Sequence, residues 1–115
     1  MWFAPRIKKT KYPNDADGDA LRRVAERSDM SKPMDLDFAV DIPTQASGEN
    51  VARLAAERGY KAAVELHEPS QRWTCYCTKR MVPTYDAIIE AQKELDKLSA
   101  AFGGHSDGWG TLGNG

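Results

Sequence analysis

Residues 34–42 read "MDLDFAVDI" and alternate without a miss. Met34, Leu36, Phe38, Val40 and Ile42 hold the even positions, and Asp35, Asp37, Ala39 and Asp41 the odd ones. On an extended chain successive side chains point to opposite sides, so a period of two predicts a strand with one face buried and the other wet. The five apolar residues are then core, and three carboxylates line the opposite face.

Working outward, Pro33 disfavours helix just before the strand and Pro43 ends it. "TQASGENVARLAAERG" (44–59) predicts a helix with Thr44 or Ser47 as cap, Val51, Leu54 and Ala55 as its apolar stripe, and Gly59 as its stop. "YKAAVEL" (60–66) alternates again, with Lys61, Ala63 and Glu65 on the polar side. "HEPSQ" (67–71) reads as a turn, and "RWTCYCTKR" (72–80) as a second β-branched and aromatic strand. The two strands predict a hairpin that places Thr74, Tyr76 and Thr78 beside the aspartates.

"PTYDAIIEAQKELDKLSAAFGG" (83–104) predicts a long helix capped by Thr84, buried along Tyr85, Ile88, Ile89, Leu95, Leu98 and Phe102, and ended by Gly103 and Gly104. Glu94 and Lys97, three apart, are expected to pair on its wet side. Ahead of the first strand, "YPNDADGDALRRVAERSD" (12–29) predicts one more helix. Pro13, Asn14 and Asp17 offer start chemistry there, and Ala20, Leu21, Val24 and Ala25 recur at helical spacing.

After that first helix, the order strand, helix, strand, strand, helix needs one more strand to become βαββαβ. The expected fold is therefore an α+β, ferredoxin-like sandwich, an antiparallel sheet with helices on one face and an extra N-terminal helix. "HSDGWGT" (105–111) is the segment left to supply the last strand. Trp109 would anchor it on the domain, with flanking glycines allowing a bulge or close backbone approach.

A chain of 115 residues has room for one domain. Residues 1–12 carry Arg6, Lys8, Lys9 and Lys11 and no acid, a charge of +4; the net charge of −1 therefore leaves −5 for the remainder. We read a basic flexible arm over 1–12 and a single, mildly acidic domain over 13–115. A nucleic-acid binder shows the opposite arrangement, a basic body. No apolar run approaches the ~20 residues that cross a bilayer, and "MWFAPRIKKTK" does not read as a leader, so the expected location is cytoplasmic.

The sequence predicts no catalytic site, no cofactor and no metal. No G-x-S-x-G, phosphate loop, G-x-G-x-x-G or H-E-x-x-H occurs. Cys75 and Cys77 share one side of a strand, and His67 and His105 are not spaced to complete a zinc site with them. Buried thiols acting as small hydrophobes are the expected state.

The candidate surface is the open side of the sheet. Asp35, Asp37 and Asp41 lie there with Glu65 and Tyr76, and these five residues are the candidate partner-binding set. Ferredoxin-like sheets that bind RNA use this face with aromatics among basic residues. Carboxylates there repel phosphate and suit a basic peptide. The plainer alternative is solvated aspartates paired with Arg80 or Lys61.

At "SDGWGT" (Ser106, Asp107, Gly108, Trp109, Gly110, Thr111), with "SDMSKPMDLDF" and "WTCYCTKRMVPTYDAII" before it, the chain resembles the RraB family of ribonuclease E regulators. The resemblance implies a non-catalytic cytoplasmic protein that binds the arginine-rich scaffold region of that endoribonuclease and changes which transcripts are degraded. The six motif residues are expected to close the sheet. The rival reading is an RNA-binding ferredoxin-like domain that uses the basic arm.

Overall fold

The computed structural model describes residues 12–114, so the basic arm lies outside the described residues apart from Tyr12. The elements run α1 (Ala16–Ala25), β1 (Met34–Ile42), α2 (Gln45–Glu57), β2 (Lys61–His67), β3 (Arg72–Met81), α3 (Tyr85–Ala100) and β4 (His105–Gly110). The four strands form one antiparallel sheet in the order β2-β3-β1-β4. Among the described residues the architecture is α+β with three helices. Its order opens with a helix and so departs from a bare βαββαβ repeat.

β1 sits inside the sheet, between β3 and β4. Its five apolar residues are fully buried, as their alternation requires. They join Cys75 and Cys77 of β3, Leu21 of α1, Val51 and Ala55 of α2, and Ile88, Ala91 and Leu95 of α3 in one core. All three helices therefore feed the same side of the sheet, and the aspartates face away from it.

Each helix begins where a short polar side chain satisfies an early amide that would otherwise lack a partner. Asp15 accepts from the Gly18 N–H at 2.7 Å, Thr44 from Ser47 at 3.1 Å and Thr84 from Ala87 at 3.1 Å. The α1 cap is thus Asp15 and not one of the three residues the sequence pointed to. The turn after β2 spans 68–71 and the hairpin forms as expected.

One expected pair does not form. Glu94 turns from Lys97 toward the end of α2, where its carboxylate accepts from Tyr60 Oη at 2.9 Å and meets Arg58 Nη1 at 3.2 Å. Lys79 Nζ lies 4.8 Å above the Tyr60 ring and donates to the Arg58 carbonyl at 3.1 Å. A nearly buried tyrosine hydroxyl needs an acceptor. The solvent-exposed Lys97 offers Glu94 far less than this cluster does.

Candidate protein-binding face

Strand register sets the open face out in rows. In the middle row Tyr76 stands between Ala39 of β1 and Ala63 of β2. Two methyl groups cannot shield a phenol, and Tyr76 is 41% exposed. On one side the next row is Lys61, Thr78, Asp37 and Gly110, followed by Arg80 and Asp35. On the other it is Glu65, Thr74, Asp41 and His105, followed by His67 and Arg72. All five candidate residues therefore share this one surface.

The carboxylates are not alone on it. Arg72 Nε donates to both Asp41 oxygens at 3.0 and 2.9 Å, and Arg72 Nη2 lies 2.7 Å from Oδ2. This hydrogen-bonded guanidinium, outweighing partial burial, holds the Asp41 carboxyl below the usual carboxylate range. His105 Nδ1 stands 3.7 Å from the same carboxylate. Thr78 Oγ1 donates to Asp37. Arg80 Nη1 reaches Asp35 Oδ1 at 3.4 Å, with both side chains about two-thirds exposed.

Four acids therefore share the face with Lys61, Arg72 and Arg80, so its charge is nearly balanced and not simply negative. Arg80 is where the plainer sequence reading had it. Arg72 and the two histidines were missed. Extending the β3 alternation one step past Thr74 and Thr78 finds both arginines, because Arg72, Thr74, Tyr76, Thr78 and Arg80 share one parity.

Beneath this face the two cysteines are buried, their sulfurs 3.7 Å apart. The hydrogen bond that Cys77 shares with Cys75, together with burial, pushes the Cys77 thiol up and keeps it protonated. Among the described residues no three His, Cys, Asp or Glu side chains converge as a metal site requires. No described helix is long and apolar enough to cross a membrane.

A protein-family model described as RraB, regulator of ribonuclease activity B, matches residues 14–111. The chain belongs to the RraB family. No curated protein matches it.

In this RraB-family chain the tryptophan motif lies at the sheet edge next to β1. Trp109 pairs with Phe38, is half-buried against the core, and donates its indole N–H to Asp17 Oδ1 of α1 at 2.9 Å. The Ser106 amide donates to Asp96 of α3. Thr111 Oγ1 donates to the Asp35 carbonyl at 2.7 Å. Asp107 and Gly108 are exposed at a bulge between the pairings to Phe38 and Val40. Gly110 differs from the rest, since its pairing with Asp37 brings it to the open face.

Proposed function

We propose that this RraB-family protein regulates an RNA-degrading enzyme of the cytoplasm by binding it through the open sheet face, with no catalysis of its own. The partner chemistry that fits is a cationic protein segment, as the arginine-rich scaffold region of ribonuclease E would supply. We read the fold as ferredoxin-like, its strand order and two crossover helices leaving one side of the sheet uncovered by the described residues and open to a partner.

The observation that carries this reading is Tyr76. A half-exposed aromatic at the centre of an uncovered sheet, flanked by two alanines, offers a flat apolar contact with room beside the ring. Interface energy concentrates in such central aromatics, while charged surroundings set orientation. On β1, Asp37 lies one row from this centre and Asp35 one row further along the same side. The exposed Asp35–Arg80 pair has a geometry typically worth under ~1 kcal/mol, so an incoming guanidinium can replace Arg80 at little cost. Arginine also stacks on the phenol ring.

An RNA platform needs its aromatic ringed by cations, and here aspartates hold the neighbouring strand. The rival RNA-binding reading rests on the basic arm and draws nothing from this face.

Titration with a ribonuclease E scaffold peptide, and separately with single-stranded RNA, tests the proposal. The peptide is expected to bind, and Tyr76→Ala to weaken it about tenfold or more, the scale of a central hot spot. The melting temperature should stay within a degree or so, because the ring packs on little. Binding to RNA alone, or a peptide affinity indifferent to Tyr76, would overturn it.

A further inference from the structure

The sheet has two edges, β2 and β4, and they are built differently. β4 is interrupted by a bulge in its pairing with β1, a device that ends strand pairing. β2 runs unbroken in register with β3 from Lys61 to His67, without proline or glycine. Its outer row of main-chain groups has no strand partner among the described residues.

We propose that β2 pairs antiparallel with β2 of a second copy of this chain, about a twofold axis at Ala63. The argument is charge register. Around that axis Lys61 faces Glu65 of the second copy, and Glu65 faces its Lys61, so the symmetry makes the favourable cross-strand pair twice. Ala62 meets Val64 and Ala63 meets itself. Moving the axis to Ala62 sets Lys61 against Ala63, and moving it to Val64 sets Lys61 against His67. Axes at Lys61 or Glu65 bring like charges together.

Charges on an edge strand ordinarily discourage strand addition. Here they favour a single register and leave the others unpaired or repulsive, which is how specificity is built into a pairing edge.

Leu66 adds an independent indication. It is a large apolar residue left 40% exposed on this edge, where an added strand would cover part of it. The row Ala39–Tyr76–Ala63 would also meet its counterpart, so two open faces would join as one surface carrying two Tyr76 rings. Self-association stands on the edge itself and does not depend on the target proposed above.

Sedimentation equilibrium across a concentration series tests the inference. Wild type is expected to be a dimer that dissociates on dilution. Lys61→Glu and Glu65→Lys each create two like-charge contacts, and each should weaken self-association about tenfold or more. Both side chains are exposed, so thermal melts should show both variants folded. An equimolar mixture of the two variants restores both opposite-charge contacts and should recover the dimer, as should the double variant. A monomeric wild type, single variants that dimerise as wild type does, or a mixture that stays monomeric would each refute the pairing.

Discussion

Asp17 Oδ1 receives two side chains from distant parts of the chain, Trp109 Nε1 at 2.9 Å and Gln92 Nε2 at 3.3 Å. The indole thus does two jobs. Its ring covers the core beside Phe38, and its N–H ties β4 to α1. Trp109→Ala should destabilise by about 3 kcal/mol, the low end for an aromatic because the ring is only half-buried. Trp109→Phe keeps most of the ring and isolates the hydrogen bond. Combined with Asp17→Ala in a double-mutant cycle read by denaturant melts, it should show a coupling of about 1 kcal/mol or more, as for hydrogen bonds to a charged acceptor. Strict additivity would mean that the bond contributes nothing. The sequence placed Trp109 on the last strand because a tryptophan held between glycines must dock somewhere. It could not place Asp17, which is 92 positions away and follows no local period.

Elements with a strong period were the legible ones. β1 has the bounds its alternation predicts, since every apolar side chain it carries meets the core. β4 was legible only as the segment left over, because a bulge and two glycines erase its period. Those glycines make a prediction that separates fold from function. Gly108 has φ of +97°, and an added Cβ would meet nothing within 4 Å, so Gly108→Ala should cost only the backbone penalty, about 1 kcal/mol. Gly110 has no such φ and equally open space. Gly110→Arg should therefore melt like wild type. Its side chain would nevertheless stand beside Asp37 on the open face and should weaken peptide binding several-fold. A loss of stability as large as that at Gly108 would show that Gly110 serves the edge and not the face. Charge on the face was half legible, because acids on β1 show in one strand's pattern whereas the arginines that meet them need the register of two strands together.

Across the whole molecule the longest-range contacts gather at α1 and the segment that follows it. Tyr85 donates to Asp15, Trp109 and Gln92 to Asp17, and the chain's far end closes on the loop between α1 and β1. There Asn114 Oδ1 accepts from the Asp29 amide at 2.9 Å, while Nδ2 donates to the Asp29 carbonyl at 2.9 Å and reaches the Lys32 carbonyl at 3.3 Å. One amide side chain thus serves as an artificial strand for a loop that has no sheet neighbour. None of this is visible in composition, because a single asparagine among glycines reads as tail. Removing it should loosen the loop and leave the sheet intact, since β1 holds its own pairings on both sides. In Asn114→Ala the Asp29 amide should exchange with solvent roughly fivefold faster, the equivalent of one ~1 kcal/mol hydrogen bond, while Phe38 in the middle of β1 keeps its wild-type rate. Faster exchange at both sites in equal measure would show that the tail stabilises the domain globally, and no change at Asp29 would show that the clasp does not hold in solution.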